Sequence, residues 1–415
     1  MSSIPAGRPS YAAVLRIPHA RRTFAAALLG RLSYGVVPLS VMLAVTRATG
    51  SYAVAGTVMA LFGGTSVFLS PARAALTDRH GPRRALVPMV VAYAALLGLL
   101  TVLLGRPGAA SPPALCAVTA AAGACTPPLG PTMRAVWGRL APDRDLLQRA
   151  YGLDGVAEEL LFVSGPLLVG VLVGFAPPTA GIVLGTALIV VGTGGFVSSP
   201  AVRVMRSQNG PARHRSDGRP VLFGLRRPVT AAAAVGFALG AVDLLVVAFT
   251  QGHGYGGDSV AWVLAALSAG SAVGGLFNGA VTWRAPAGRR LPLLTAGLGL
   301  ALLGAALVPD LVTLALAATV AGFFVSPAIT TAYLIADESA APDTRVRAGA
   351  WVNTAVNAGG TAGTSAAGVL AGTLPTGWCF ATTGGVVLLT TVTTVTTVTA
   401  LTTVTVAGPG RAGAA

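Results

Sequence analysis

Residues 85–104 read ALVPMVVAYAALLGLLTVLL, a run of twenty residues without a charged side chain. At about 1.5 Å per residue, a helix of this length crosses the ~30 Å hydrocarbon core of a bilayer. Outward from this run, the sequence holds eleven more apolar stretches long enough to do the same, so it predicts twelve membrane-spanning helices. The predicted spans are 23–46, 52–72, 85–104, 112–134, 150–175, 178–198, 229–250, 258–282, 291–308, 311–336, 349–373 and 377–406.

The composition of the chain also favours lipid over water as its solvent. Of its 415 residues, 53% are hydrophobic and only 10% are charged, whereas a soluble domain carries about 25% charged residues. The three cysteines lie in apolar stretches at spacings that fit no zinc or redox motif. The sequence contains no P-loop, dinucleotide-binding or hydrolase signature, so we expect no metal, no cofactor and no enzyme activity.

The basic residues are all arginine, and their placement predicts the orientation of the chain. With the N terminus in the cytoplasm, all but three of the 28 arginines fall in cytoplasmic segments, as the positive-inside rule requires. The exceptions are Arg31, within the first span, and Arg47 and Arg106 on the outer side. A nucleic-acid-binding protein would not sort its net charge of +15 in this way. We therefore expect a multi-pass plasma-membrane protein with both termini cytoplasmic, a retained first span and no nucleic-acid partner.

A repeat at an offset of 200 residues divides the chain into two halves. Ala141-Pro142-Asp143 recurs as Ala341-Pro342-Asp343, and Pro127 has a counterpart in Pro327. These matches flank equivalent apolar spans, as expected for two parallel repeats of six helices. The sequence therefore predicts an N-terminal six-helix bundle, a polar cytoplasmic linker and a C-terminal six-helix bundle, over residues 1–198, 199–228 and 229–415 respectively.

Two of the predicted spans have an unusual composition. The fourth contains Pro127, Pro128 and Pro131, which remove backbone hydrogen-bond donors and are expected to kink it. The last consists largely of valine and threonine from Thr390 to Val406, a pattern that favours strand in water. In lipid a threonine hydroxyl can bond to the backbone of its own helix, so we predict a helix here too.

The connection between the second and third spans carries a signature. It reads RAALTDRHGPRR from Arg73 to Arg84. This stretch resembles the major facilitator superfamily pattern G-x-x-x-D-R-x-G-R-R/K, although an alanine stands where the first glycine is usual and a proline moves the basic pair one place along. The residues that carry the resemblance are Asp78, Arg79, Gly81, Arg83 and Arg84.

The resemblance implies an all-α membrane transporter with two pseudo-symmetric six-helix bundles and a small-molecule substrate. For this loop it implies a gating role. The Asp78 carboxylate would cap the N terminus of a neighbouring helix or pair with an arginine across the cytoplasmic face, and Gly81 would permit a tight turn. A solvated loop that only sets the topology is the alternative interpretation. The corresponding loop of the second half, from Trp283 to Arg290, has no acid, which puts gating there in doubt.

The fifth predicted helix contains Gly165, Pro166 and Gly170, which resemble part of a motif found in antiporter branches of the superfamily. A proline removes a backbone hydrogen bond and glycines let a neighbouring helix approach, so this helix could flex during transport. An ordinary kinked packing helix is the alternative. This partial match places the chain on the drug-efflux side of the superfamily and indicates export.

Charged residues inside the predicted spans are the main candidates for function, because each costs on the order of several kcal/mol unless it is paired or faces water. Arg31 lies roughly 13 Å along the first span. Glu158 and Glu159 lie at a comparable depth, and we expect one of them to pair with Arg31. Asp154 shares a helix face with Glu158, and Asp243 lies inside the seventh span with no basic residue nearby in sequence. Each acid could bind a proton or substrate, or make a structural hydrogen bond or ion pair.

If the resemblance holds, the first, fourth, seventh and tenth helices line the transport cavity. Their candidate lining residues are mainly apolar, which suits a lipophilic or amphipathic substrate better than a sugar that needs many hydrogen bonds. These residues are Tyr34, Met42, Pro127, Phe249 and Tyr333.

Together these observations predict a monomeric secondary transporter that exports a small hydrophobic or amphipathic compound, coupled to protons, by alternating access. An importer of a small nutrient is the main alternative. A membrane-embedded enzyme or a non-transporting sensor is more remote. An enzyme of that kind usually needs a polar loop with clustered acids or histidines, and the sequence has no such cluster.

Overall fold

The structure is a computed structural model that describes residues 11–106, 111–203, 222–256 and 258–406, with the side chains of all these except 222–224 and 394–406. Every regular element in these ranges is an α-helix. The helices before the predicted linker are α1 (Tyr11–Arg16), α2 (Ala20–Thr49), α3 (Tyr52–Phe68), α4 (Ser70–His80), α5 (Pro82–Gly105), α6 (Pro112–Cys125), α7 (Leu129–Leu140), α8 (Arg144–Val173), α9 (Thr179–Ser198) and α10 (Pro200–Arg203). Those after it are α11 (Leu222–Gly252), α12 (Asp258–Ala280), α13 (Ala287–Ala305), α14 (Leu311–Ser339), α15 (Arg345–Ala371) and α16 (Thr376–Val406).

Each predicted span corresponds to one of these helices or to a pair of them. Within the described ranges, seven helices are long and apolar enough to cross a membrane on their own, namely α2, α5, α8, α9, α11, α12 and α14. α3 and α4, which meet at a bend of 42°, pass the same test when taken together. α6 and α7, at 14 and 12 residues, are each too short because the predicted fourth span is broken between them.

The chain forms two compact units. Among the described residues, the first contains those up to Phe223 together with Leu276–Thr282 and Ala336–Thr354. The second contains those in Gly224–Gly275 and Trp283–Ile335 and those from Ala355 onward. The last residues of α12 and α14 and the first turns of α15 therefore belong to the first unit. Most of the predicted linker 199–228 lies outside the described residues, so its role stays a prediction.

The prolines of the fourth span do more than kink it. α6 ends at Cys125 and α7 begins at Leu129, with three non-helical residues between them. A proline has no N–H, so carbonyl groups in the last turn of α6 lose their helical partners. The Arg73 guanidinium donates to the carbonyl oxygens of Gly123 at 2.8 Å and Ala124 at 3.1 Å. The predicted kink is thus a break, in which an arginine replaces the missing backbone donors.

The valine- and threonine-rich segment is helical, as the sequence predicts. The Thr390 hydroxyl donates to the carbonyl of Val386 at 3.0 Å, and the Thr391 hydroxyl donates to that of Val387 at 2.8 Å. These bonds to the preceding turn confirm how threonine is accommodated in a helix surrounded by lipid.

In the second unit, glycines let helix backbones touch. A Cβ added at Gly236 of α11 would overlap the carbonyl group of Val356 in α15, and a Cβ at Gly363 of α15 would overlap that of Phe237 in α11. Only a residue without a side chain fits at such contacts, and small residues of this kind allow close packing of helices in a membrane. α12 and α14 meet in the same manner at Gly270, Gly274 and Gly322.

Candidate functional site

Four charged side chains meet inside the first unit, where α2, α7 and α8 come together. Arg31 of α2 places its Nη1 2.7 Å from Oδ1 of Asp154 and its Nη2 3.1 Å from Oε1 of Glu158. Arg134 of α7 places its Nε 2.9 Å from Oδ2 of Asp154 and donates through Nη2 to Oε2 of Glu158. Each acid of α8 therefore bridges both arginines, and we call these four residues the charge cluster.

The charge cluster is electrically balanced and largely buried. Arg31, Arg134 and Asp154 expose 2%, 5% and 0% of their surface, whereas the side chain of Glu158 exposes 31%. Removing one partner of a buried ion pair costs about 3–5 kcal/mol because it leaves a charge uncompensated, and here two positive and two negative charges cancel. Glu158 is the one member of the cluster that is substantially accessible.

The local sequence explains how the four side chains converge. Asp154 and Glu158 are four residues apart, so they lie on one face of α8, one turn from each other. The break before Leu129 sets the direction in which α7 starts, and Arg134 lies in its second turn. A Cβ at Gly130 would lie 3.8 Å from Nη1 of Arg134 and 3.9 Å from Nε of Arg31. The N terminus of α7 therefore lies beside both guanidinium groups.

Tyr34 connects α2 to the break between α6 and α7. Its hydroxyl donates to the carbonyl oxygen of Pro127 and accepts the N–H of Leu129 at 3.4 Å. Tyr34 follows Arg31 by three residues, so both lie on one face of α2. This face supplies a member of the charge cluster and the hydroxyl that joins the break to the first residue of α7.

The signature loop forms α4, a turn at Gly81 and the start of α5. Gly81 has a φ of +79°, a conformation that residues with a side chain rarely adopt. The Asp78 carboxylate accepts the N–H of Val346 at 3.1 Å and that of Arg347 at 2.8 Å, both in the first turn of α15. Asp78 therefore caps a helix that is distant in sequence, which is one of the two arrangements expected of it. The other charged members of the signature, Arg79, Arg83 and Arg84, are exposed.

This geometry agrees with what comparison with known proteins shows. A family model for the Major Facilitator Superfamily matches residues 23–282 and 229–412. The chain belongs to the major facilitator superfamily. Its fold is the one that the signature loop implied, an all-α membrane protein of twelve transmembrane helices in two six-helix bundles.

Several solved structures share this major facilitator fold at low sequence identity. The human organic anion transporter MFSD10 (TETRAN) is 16% identical, with a TM-score of 0.69 over 93% of this chain and 100% of that one. A bacterial homologue of the iron transporter ferroportin is 13% identical, with a TM-score of 0.71 over 91% and 98%. The E. coli fucose:proton symporter FucP is 15% identical, with a TM-score of 0.63 over 93% and 99%. A search of curated proteins found no match.

A major facilitator protein is a membrane transporter of small molecules and not an enzyme, so these two predictions are confirmed. Identities of 13–16% show a shared fold, and they carry no substrate from those proteins to this transporter.

The charged residues predicted within the spans of this transporter fall into two groups. The structure brings Arg31 and Glu158 together, and Asp154 joins them in the charge cluster. Glu159 is half-buried and is not one of the four cluster residues. Asp243 is exposed on α11, in the second unit.

Two buried arginines were missed. Arg134 was counted among the arginines of cytoplasmic segments and given no other role, whereas its side chain is buried in the charge cluster. Arg73, also counted as cytoplasmic, is 6% exposed and bonds to the broken end of α6. The sequence could have indicated both through their positions. Arg73 directly follows the second predicted span, and Arg134 is the last residue of the fourth, which contains three prolines.

The five residues predicted to line a cavity lie in different settings. Tyr34 and Pro127 meet at the break of the fourth span. Met42 is 41% exposed on α2, whereas Phe249 and Tyr333 are buried in the second unit. Their role in lining a transport cavity stays a prediction.

The antiporter-like motif lies where α8 crosses α2. A Cβ at Gly165 would lie 2.6 Å from the Cα of Gly35, so this glycine permits the two backbones to touch. Pro166 lies inside α8 without ending it, and a Cβ at Gly170 would meet no other atom within 4 Å. Close packing accounts for Gly165, while flexing of α8 at Pro166 stays a prediction.

Sites for metal ions and disulfides can be checked over the same part of the chain. In the described ranges, no group of three or more histidine, cysteine, aspartate or glutamate side chains is placed to hold a metal ion. The three cysteines are free thiols, and Cys379 is buried.

Proposed function

We propose that this transporter is a secondary active exporter that moves a small hydrophobic or amphipathic compound, coupled to protons, by alternating access. The observation that carries the proposal is the charge cluster of Arg31, Arg134, Asp154 and Glu158. Ionisable residues inside a membrane protein are costly, and they mark the paths of substrates, ions or protons. A balanced cluster of this kind responds to the gain of a single proton with a change in net charge.

Glu158 is suited to accept that proton. Its side chain is 31% exposed, whereas Asp154, which contacts the same two arginines, is fully buried. A proton on Glu158 would cancel its negative charge and weaken its attraction to both guanidinium groups. The cluster would then have two charge states with different contacts between α8 and its neighbours, which supports a coupled conformational cycle.

Asp243 is the second candidate for the proton site. It lies on α11, one turn beyond Gly240, where α11 contacts α15. Its side chain is exposed, and in the part of the chain that the structure describes it forms no salt bridge. An acid of this kind can exchange a proton without first breaking an ion pair.

The apolar character of the predicted lining residues supports a hydrophobic or amphipathic substrate. The partial antiporter motif at Gly165 and Pro166 supports export, and the Asp78 cap on α15 supports a gate that opens and closes during the cycle. Import of a small nutrient differs only in direction, so a measurement of direction separates the two proposals.

The proposal is tested by measuring the flux of a compound panel in vesicles that contain the purified full chain. Inside-out vesicles should accumulate the substrate when a proton gradient is applied, and a protonophore should abolish this accumulation. Flux that ignores the gradient would rule out proton coupling. Movement in the opposite direction would favour the importer, and binding without flux would indicate a sensor.

Two variants separate the candidate proton sites in the same assay. If Asp243 carries the proton, Asp243→Asn should lose gradient-driven transport and retain exchange without a gradient. If Glu158 carries it, Glu158→Gln should show this behaviour instead. Glu338→Gln is the matched control, because it removes the acid of an exposed pair with Arg144 and should behave like the unmodified protein.

A further inference from the structure

Glu158 lies on a stripe of α8 that carries buried residues, although Phe162, one turn further along, is 60% exposed. Residues 154, 158, 165 and 169 share one stripe of this helix, and Asp154, Gly165 and Val169 in that stripe are buried. The opposite stripe is exposed and apolar, as expected for a lipid-facing surface. It contains Leu160, Val163 and Leu167, which are 65%, 52% and 65% exposed. The carboxylate of Glu158 contacts Arg31 and Arg134, so it points to the side of α8 where α2 and α7 lie.

The two arginines present a matched pair of donors to Glu158. Asp154 takes one nitrogen of each guanidinium group, and the Nη2 nitrogens of Arg31 and Arg134 both lie within ion-pair distance of the single carboxylate of Glu158. Two converging donors of this kind suit any planar or tetrahedral anion of similar size. The N terminus of α7 at Gly130 lies beside both groups and adds to the positive potential.

Charge balance decides what can replace Glu158. Without it, two arginines face one aspartate, and a net charge of +1 remains at a site whose other members are almost fully buried. Such a charge is strongly unfavourable, so another anion that takes the position of Glu158 favours its departure. One singly charged group, such as a carboxylate or a sulfonate, restores neutrality.

We propose that Arg31 and Arg134 form an anion subsite, which Glu158 occupies in this structure and which the anionic group of an amphipathic substrate takes over during transport. The inference rests on the proposed transport function and narrows its substrate class to amphipathic organic anions with one negative charge. Glu158 is then the resident anion that keeps the site neutral when no substrate is bound.

The test is equilibrium binding to the full chain in lipid nanodiscs, with no proton gradient. Three probes share an eight-carbon chain and differ only in the head group, namely octanesulfonate, octyltrimethylammonium and octanol. Octanesulfonate should bind at least tenfold more tightly than the other two. Glu158→Gln removes the competing charge and should tighten octanesulfonate binding at least tenfold again, whereas Glu338→Gln should change nothing.

A charge-balanced variant guards against misfolding. Arg134→Gln combined with Glu158→Gln leaves Arg31 neutralised by Asp154, and it should bind octanesulfonate at least tenfold less tightly than the Glu158→Gln protein. If Glu158→Gln folds only when octanesulfonate is present, that dependence also supports the subsite. The subsite is overturned if no anion restores the folding of Glu158→Gln and the double variant binds octanesulfonate as tightly as the unmodified protein.

Binding without a gradient separates this inference from the proposed export. Equal or tighter binding of octyltrimethylammonium overturns the subsite even if proton-driven efflux of some other compound is observed. Conversely, selective octanesulfonate binding without proton-driven flux supports the subsite and contradicts proton-coupled export.

Discussion

The first and fifth membrane helices are joined differently in the two halves of this transporter. In the first unit, α2 and α8 touch at Gly35 and Gly165, and Arg31 on α2 is also bonded to the acids of α8. In the second unit, α11 and α15 touch at several glycines that press against carbonyl groups of the opposite backbone, among them Gly236 and Gly363. One pair combines shape with charge. The other combines backbone contact with a hydrogen bond from the Thr364 hydroxyl to the carbonyl of Gly240 at 2.8 Å.

The contact between α2 and α8 can be switched by a change of charge, whereas the contact between α11 and α15 cannot. The strength of an ion pair in a medium of low dielectric constant depends on the protonation and occupancy of its members. A glycine contact depends on shape alone, and no proton or anion alters it. We therefore expect α2 and α8 to rearrange during transport, and α11 and α15 to stay together.

The largest effect is expected from Arg31→Met. This change leaves Asp154 and Glu158 with one arginine and an uncompensated buried negative charge, so the protein should lose about 3–5 kcal/mol of unfolding free energy. Denaturation of the purified protein in mixed micelles measures it. Adding Glu158→Gln to Arg31→Met restores the charge balance and should recover part of the loss. A double variant no more stable than the single one would show that charge is not what holds α2 to α8.

A smaller loss of unfolding free energy is expected from Gly363→Ala, which lies in the glycine contact between α11 and α15. The added methyl group would overlap the carbonyl group of Phe237 and force α11 and α15 apart, at a cost of about 1–3 kcal/mol. Gly368→Ala is the matched control on the same helix, because its Cβ would make an ordinary 3.5 Å contact with Leu244. Equal stability of the two variants, measured by the same denaturation, would show that α11 and α15 are not held by close backbone packing.

Much of this comparison could be predicted from the sequence, because it follows from local patterns. The length of the apolar runs predicted the helices. The depth of Arg31 in its span, similar to that of Glu158 and Glu159, predicted that it pairs with one of these acids, and that acid is Glu158.

What could not be predicted depends on irregular backbone or on distant partners. Helical periodicity does not continue through the break before Leu129, so no pattern in the sequence directed Arg134 toward Asp154. The partner of Asp78 lies 268 residues away in sequence, and nothing local to either segment specifies it.

A third expected effect, smaller again, concerns the Asp78 cap. Asp78→Asn keeps the size of the side chain but removes the charge that faces the N terminus of α15 and one of the two oxygens that accept its N–H groups. Asparagine still caps a helix, so the loss of the charge should cost about 0.3–1 kcal/mol. Hydrogen exchange at the amides of Val346 and Arg347 should become faster in the variant. Unchanged exchange at both amides would show that the cap contributes nothing to the first turn of α15.

The smallest effect is expected at Asp310, which caps its own helix in the second unit. Its carboxylate accepts the N–H of Thr313 at 2.9 Å, and this bond lowers the pKa of Asp310 below its ordinary value. A lowered pKa means that the cap stabilises the start of α14 at pH values above the ordinary carboxyl pKa of about 4, and that this contribution is lost as the pH falls through the lowered value. Acidification should therefore reduce the exchange protection of the Thr313 amide, and Asp310→Asn should remove this pH dependence. Because Asp310 caps its own helix within one turn, the change should stay local. Asp78 caps α15 from a distant part of the chain, so its loss should affect the start of that helix.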